Sequence, residues 1–514
     1  MTRAGAAPAG GPTDDVVLGI DVGTTAVKVV AFGVGTGEQR SAAREYPLLQ
    51  PAPGWQVQDP DTVVSALEGA LAECVSAVAG RRVLGVSLST AMHGLIGLDA
   101  AKRPLTPLVT WADSRSEQEA ATLRDSGEAE VLRRHTGTPV HPMSPLTKLM
   151  WFARHEPRLC AAVHHWVGLK DYVLWSLTGV LATELSSASG TGLLDLDAGD
   201  WSPFAADLAG VELGQLPTVL DTTAALSLRR GVAAAVGLPA GLPVVTGAAD
   251  GPLGNLGTGA IDPGTIGISV GTSGAARMVV PRPQLDTAGR LFCYALTTDA
   301  WVTGGAVSNG GVVLRWAGQV FGRGEGTVLS DEDLLAGAAE VPAGSEGLVM
   351  LPYLLAERAP LWDPQLPGAF LGVRHHHGAA HFVRAAVEGV ALQLAAIVDE
   401  LAGLHPVRDV RVTGGVFRAA LWRQVLAAAV GRPLHVAGGA WDTARGAAVL
   451  GLVGLGRAGD LPGGLRLLQP VEGQAPAPTE PSVADVEAYR RLRSRVPALL
   501  GAYEEVARLF DAPV

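Results

Sequence analysis

The sequence predicts an α/β protein of two similar halves, each opening on two strands joined by a Gly-Thr turn. Three observations carry this. Residues 16–32 read VVLGIDVGTTAVKVVAF, two apolar β-branched runs (16–21 and 26–32) around a turn at 22–25. Residues 264–280 repeat the pattern as GTIGISVGTSGAARMVV, with strands at 265–270 and 275–280 around a turn at 271–274. Gly19, Gly23 and Thr24 then match Gly267, Gly271 and Thr272 at a constant spacing of 248 residues, nearly half of the 514-residue chain. That period is too long for a solenoid and fits a duplicated domain.

The remaining elements follow in order. Val63, Val64, Leu67, Leu71, Val75 and Val78 have helical spacing, and Asp59-Pro60 is a helix start, so 61–78 is read as a helix. A strand at 83–88 runs into a turn at 89–94, a polar helix begins near Asp113, and another covers 146–154. A buried-type strand at 242–246 ends in Gly247-Ala-Ala-Asp250-Gly251, and the glycine-rich stretch 250–264 is read as a hinge. In the second half, helices are expected at 310–321, 381–404, 421–430 and 443–453, with strands at 347–351 and 410–413. Residues 461–481 are rich in Pro and Gly and read as a linker. A last helix, 482–510, is expected to kink at Pro497. The domain reading is a flexible tail at 1–15, a first half at 16–250 and a second at 251–514.

Composition narrows the function. Hydrophobic residues make up 48% and charged residues 17%, enough to bury large cores. The net charge of −11 lacks the basic footprint that nucleic-acid phosphates require. Arg490, Arg491, Arg493 and Arg495 read as the wet face of a terminal helix. The longest uncharged stretch, 231–249, is broken by Pro239, Pro243 and glycines, so no membrane span is expected. Three distant cysteines suggest neither disulfides nor a metal site, which points to a cytoplasmic protein. The four lysines, Lys28, Lys102, Lys148 and Lys170, never follow glycine, so no Walker A loop exists.

Chemistry concentrates at strand ends. Gly-Thr turns aim backbone N–H groups and a hydroxyl at anions, and two facing turns can hold a polyphosphate. Asp21, just before the first turn, is placed to meet a hydrated Mg²⁺ through water. Asp250, on a tight strand-end loop, suits a general base. His93 lies in a similar turn, and Trp111-x-Asp113-x-Arg115 offers an apolar wall, an acceptor and a donor fork suited to a polyol. Three patterns are read as decoys. Gly267-Ile-Ser269-Val-Gly271 has the spacing of a hydrolase nucleophile elbow, but a strand follows where a helix is needed. Gly454-x-Gly456-x-x-Gly459 lacks a preceding strand. His375-His376-His377 has no further ligand spaced to join it.

The chain resembles the FGGY family of carbohydrate kinases from about residue 16 to 453. Residues 143–155, MSPLTKLMWFARH, look like one family signature. Residues 368–373, GAFLGV, followed after seven residues by HFVRAAVE (381–388), look like the other. The resemblance implies a duplicated actin-like, RNase H-like ATPase fold, with ATP and Mg²⁺ in the cleft and transfer of the γ-phosphoryl group to a sugar hydroxyl. It implies 16–250 as the sugar-binding domain, 251–514 as the nucleotide-binding domain, and Asp250 as base and metal neighbour. Asp21, Gly23, Thr24, Thr25 and Lys28 would form the first phosphate motif, and Gly271, Thr272 and Ser273 the second. Asn309, Gly310, Gly414, Gly415 and Arg418 would complete the nucleotide side. Trp441 and Arg445 depart from the family's usual pattern beside the adenosine motif.

Within the family, 87–95, 110–116 and 135–145 are most similar to the gluconokinase branch. The expected substrate site is Met92, His93, Trp111, Asp113, Arg115, Lys148 and Asp250, with Arg115 or Lys148 meeting the carboxylate of D-gluconate. Xylulokinases share the Met-His turn and a related W-x-D/N-x-R motif and are the alternative. A Ser269 hydrolase and an actin-like ATPase acting on a protein partner are the remote ones. The partners expected are a sugar or sugar acid and ATP, with a homodimer compatible, and neither nucleic acid nor membrane.

Overall fold

Two six-stranded mixed sheets, one in each half, carry the fold. The computed structural model describes residues 14–509 apart from 325–326, 438, 440 and 470–476. The first sheet contains β1 (Asp15–Val22), β2 (Ala26–Gly33), β3 (Gln39–Glu45), β4 (Arg82–Thr90), β5 (Ala225–Ser227) and β6 (Pro243–Ala249). Their order is β5-β6-β4-β1-β2-β3. β1 is antiparallel to β2 and parallel to β4, which is parallel to β6.

The second sheet contains β7 (Thr265–Val270), β8 (Gly274–Val280), β9 (Phe292–Thr297), β10 (Ala300–Val307), β11 (Asp409–Thr413) and β12 (His435–Val436). Their order is β9-β10-β8-β7-β11-β12, with β7 antiparallel to β8 and parallel to β11. In each sheet the first strand lies between its hairpin partner and a later parallel strand, so the duplication read from the glycine spacing is a duplication of topology.

Helices cover the sheets: α1 (Pro60–Ser76), α2 (Pro145–His155), α3 (Leu169–Thr178), α4 (Leu185–Ser189), α5 (Asp250–Gly257), α6 (Gly311–Phe321), α7 (Ala379–Leu404), α8 (Ala420–Val430) and α9 (Asp442–Gly454). Asp59 caps α1, accepting from the Thr62 N–H at 3.2 Å. α7 is long and apolar enough to cross a membrane by length and composition, but Val383, Val387, Val390, Leu394, Ile397 and Leu401 bury it in the core.

Two close approaches shape the centre. β6 carries a bulge between Val245 and Ala248, and Gly247 sits there at φ +72°. A Cβ at Gly247 would come 1.7 Å from the Leu88 carbonyl oxygen, so only glycine fits. The bulge re-aims the strand end that delivers Asp250. The second approach joins the halves. α9 lies against the first sheet and crosses α5, where Cβ atoms at Gly257 and Gly446 would come 1.7 Å from the Asp442 oxygen and 2.0 Å from the Leu253 oxygen.

Four sequence expectations change. The end of the expected tail belongs to the fold, because the Asp14 carbonyl accepts from the Arg82 N–H and Asp15 begins β1; residues 1–13 lie outside the described ones. The glycine-rich hinge at 250–264 opens with helix α5. The linker contains α10 (Leu461–Leu467), capped by Asp460 through the Gly463 N–H at 2.6 Å. The last helix is two, α11 (Val483–Arg493) and α12 (Val496–Ala507). The break precedes Pro497, which then occupies the first turn of α12, where no N–H is needed. Phe510, the expected end of that helix, lies outside the described residues.

Candidate active site

A cavity of about 290 Å³ opens between the halves. The first half and the opening turn of α5 contribute Thr24, Met92, His93, Trp111, Met143, Asp250 and Gly251; the rest of the second half contributes Ser269, Gly271, Arg277, Phe292, Tyr294 and Arg358. A larger cavity of about 710 Å³ shares Gly271 with it and is lined by Gly311, Leu314, Arg315, Leu335, Gly415, Arg418 and Trp422, among others.

Asp250 opens α5, and its Oδ1 accepts from the Gly251 N–H at 2.8 Å. Burial raises its carboxyl above the ordinary range, while Arg277 opposes the rise. Asp21, near the end of β1, is half-buried, as Asp250 is. Desolvation first, then the Asp250 charge, push its carboxyl up to about 7, and Lys28 and Ser89 partly offset this. Lys28 is the cross-strand partner of Asp21, and its ammonium lies 6.0 Å from the Trp441 ring centre.

The turn after β1 is held from below. The Tyr46 hydroxyl donates to the Gly23 carbonyl at 2.6 Å, Gln58 to the Thr24 carbonyl at 2.6 Å, and Trp111 Nε1 to Thr24 Oγ1 at 2.9 Å. The Tyr46 N–H also donates to the Thr25 carbonyl. In the second half, the Gly310 and Val312 N–H groups donate to the Thr272 carbonyl and Gly311 N–H to that of Gly271. A Cβ at Gly310 would come 2.7 Å from the Ser273 backbone, whereas at Gly271 and Gly415 it would meet open space. The backbone at those two glycines is therefore open to a ligand, between the basic groups of Arg315 and Arg418 and the apolar Leu314 and Trp422. Gly414, at φ +119°, backs onto the Val270 carbonyl instead. A bound triphosphate fits this cradle.

His93 has φ +64°, and its Nδ1 donates to the Gly190 carbonyl at 2.7 Å. Its Nε2 is thus an acceptor. Burial, then the nearby Lys148 charge, lower its pKa to about 3, so the ring stays neutral.

Four expected site residues are spent elsewhere. Lys148 is fully buried and donates to the carbonyls of His93 (2.7 Å), Thr110 (2.7 Å) and Met143 (2.8 Å), so it ties loops together instead of facing the cavity. Asp113 and Arg115 form a buried pair at 2.8 Å, and Arg115 stacks on Trp55. Asn309, expected on the nucleotide side, uses its whole amide on Leu354, Leu355 and Glu357. Trp441 and Arg445 serve the joint: Arg445 donates to the Gly257 carbonyl at 3.0 Å. Ser269 accepts from Arg277 at 3.2 Å within a strand–turn–strand, which is not a nucleophile elbow.

The cations that do face the cavity are Arg277 and Arg358. Arg277 was visible as a lone charge inside the apolar run of β8; Arg358, in a loop, had no signal. Arg358 donates to Ser308 Oγ (3.1 Å) and the Val307 carbonyl (3.0 Å), with its guanidinium 4.9 Å from the Trp111 ring centre. Burial, aggravated by Arg358, pulls Arg277 down to about 10, although Asp250 opposes this. The Tyr294 hydroxyl, also in the wall, is buried with no hydrogen-bond partner among the described residues.

The family models for the N-terminal and C-terminal domains of the FGGY carbohydrate kinases match residues 16–257 and 266–455. This chain is an FGGY carbohydrate kinase. The FGGY kinase is 36% identical to a gluconokinase of Bacillus subtilis (strain 168) over 450 residues, covering 86% of this chain and 88% of that one. It is 33% identical to a xylulose kinase of Klebsiella pneumoniae, covering 93% and 98%. Among solved structures it resembles a gluconate kinase from Lactobacillus acidophilus (TM-score 0.89, 30% identity, 96% and 98% covered). It also resembles a ligand-bound xylulose kinase from the same organism (TM-score 0.90, 30% identity, 96% and 100% covered). The two-domain fold matches these sugar kinases, consistent with the duplicated actin-like ATPase fold. As a member of the family, the FGGY kinase is an ATP-dependent phosphotransferase with a sugar hydroxyl as acceptor.

Proposed function

We propose that this FGGY kinase phosphorylates a sugar acid, converting D-gluconate to 6-phospho-D-gluconate. One observation carries the acceptor assignment. Two guanidiniums with buried side chains elsewhere are paired, Arg115 with Asp113 at 2.8 Å and Arg384 with Glu388 at 2.7 Å. Among the described residues no ion pair holds Arg277 or Arg358, and both line the smaller cavity. A desolvated charge is costly unless something neutralises it. Asp250 and Glu357 offset the two arginines without pairing with either, so an anionic acceptor adds a favourable partner that a neutral ketose does not.

In this reading the acceptor lies in the smaller cavity and the triphosphate in the larger one, meeting at Gly271. The Asp250 carboxylate, its Oδ1 held by the Gly251 N–H, takes the hydroxyl proton as the oxygen attacks the γ-phosphorus, the bond from that phosphorus to the bridging oxygen breaks and ADP leaves. A carboxyl raised by burial is a better proton acceptor than an exposed one. His93 Nε2 accepts from a second hydroxyl and orients the sugar. Asp21 and Asp250 are the carboxylates placed to hold Mg²⁺, which neutralises phosphate charge when bound. The acceptor is held by both halves, not by residues 16–250 alone.

A coupled assay with gluconate, xylulose, ribulose, glycerol and fucose tests this. Gluconate should give the highest kcat/KM; preference for a neutral ketose, the reading the xylulose kinase relatives support, would sink it.

A further inference from the structure

Two arginines face one cavity, and they are not equivalent. Arg358 has committed Nε and Nη2 to Ser308 and Val307 and lies over Trp111. Its loop is pinned as well, because Glu357 accepts from Asn309 at 2.8 Å and from the Arg358 N–H at 2.7 Å. Among the described residues the Arg277 side chain makes one hydrogen bond, from Nη1 to Ser269 Oγ. It stands in the middle of β8 between Ala276 and Met278, both fully buried on the other face, so the strand aims it at the cavity. Glycine flanks it on two sides. A Cβ at Gly304, its partner on β10, would come 3.1 Å from Arg277 Cγ, and one at Gly251 would come 3.4 Å from Nη2.

We propose that Arg277 selects the acceptor, taking the carboxylate of an aldonic acid in its guanidinium fork, while Arg358 braces the wall beside it. This rests on the sugar-acid reading above. Planar bidentate pairing is what a guanidinium offers a carboxylate and an ammonium does not. Presentation from a central strand fixes the fork more tightly than a loop would, and the unpartnered Tyr294 hydroxyl offers a further donor.

The test uses the full chain and Arg277→Gln, with D-gluconate and with D-xylulose as substrate or competitive inhibitor. The variant should lose about 10²-fold in kcat/KM for gluconate, mostly through KM. The KM for ATP and the unfolding midpoint should stay close to those of the parent, and the xylulose constant should move far less than the gluconate one. Arg277→Lys should recover only part of the loss. Equal losses with both acceptors would assign Arg277 to the transferred phosphoryl group or to the charge of Asp250, and overturn the proposal. So would an unchanged gluconate KM in a parent enzyme that does phosphorylate gluconate. A parent with no preference for sugar acids would overturn the sugar-acid reading itself, and this assignment with it.

Discussion

The ammonium of Lys170 donates a 3.0 Å hydrogen bond to the carbonyl of Ala248, two residues before Asp250. It also donates to Leu88 (2.9 Å) and Thr246 (2.8 Å), and it lies 3.6 Å from the Glu184 carboxylate. The bulge at Gly247 turns these strand-end carbonyls toward one point, and Lys170 fills it. Lys170→Met leaves three carbonyls and a buried carboxylate without their cation, at a cost of about 3–5 kcal/mol. Thermal unfolding should show that loss. kcat should fall while the KM for ATP holds, because Asp250 moves and the larger cavity does not.

Asp250→Asn keeps the size of the side chain and removes its capacity to take a proton. Turnover should fall by about 10²–10⁴-fold, with ATP and acceptor binding retained by calorimetry. A near-normal kcat would show that Asp250 is not the base.

Asp21 links activity to stability. In the unfolded chain its carboxyl ionises near its ordinary value, about 3.9. In the fold burial and Asp250 raise it to about 7. The stability this group contributes is therefore fully present below the unfolded value and lost as pH rises through about 7. Without nucleotide or metal, Asp21→Asn should leave unfolding unchanged near pH 4. It should stabilise the protein at pH 8 by up to about 4 kcal/mol, the three-unit shift converted to energy. Denaturant titrations at the two pH values check this, and a variant destabilised at pH 8 would contradict it.

Asn309→Ala distinguishes the two cavities. Its amide holds the loop that carries Glu357 and Arg358. The acceptor KM should rise while the ATP KM stays unchanged. The reverse pattern would restore Asn309 to the nucleotide side.

Gly446→Ala probes the joint of the halves. Its Cβ would come 2.0 Å from the Leu253 carbonyl oxygen, and backbone cannot yield as a side-chain tip does. Loss of both stability and activity is expected, at least about 1–3 kcal/mol as for other overpacked sites. A soluble, fully active variant would show that α5 and α9 are free to separate.

Much of this was legible in the chain. The two hairpins, α1 with its Asp59 cap, and α7 follow from local periodicity, which depends only on near neighbours. Asp250 and His93 stood out because strand-end loops expose side chains. Lys148 and Arg115 misled because nothing local shows that an ammonium meets three carbonyls from separate loops, or that Asp113 turns back on Arg115. The partner of Asn309 is 48 residues away. α10 escaped notice because Pro and Gly near a helix start resemble a loop until the capping role of Asp460 is seen.

The position of α9 has a consequence for how the chain is made. It lies over β1 and β4, yet it emerges from the ribosome more than 350 residues after β4. Until then one face of the first sheet, including Val17 and Ser87 beneath Gly451, has no cover. The N-terminal half cannot reach its final form during synthesis ahead of the rest, and a nascent chain stopped at residue 257 should bind holdase chaperones rather than fold.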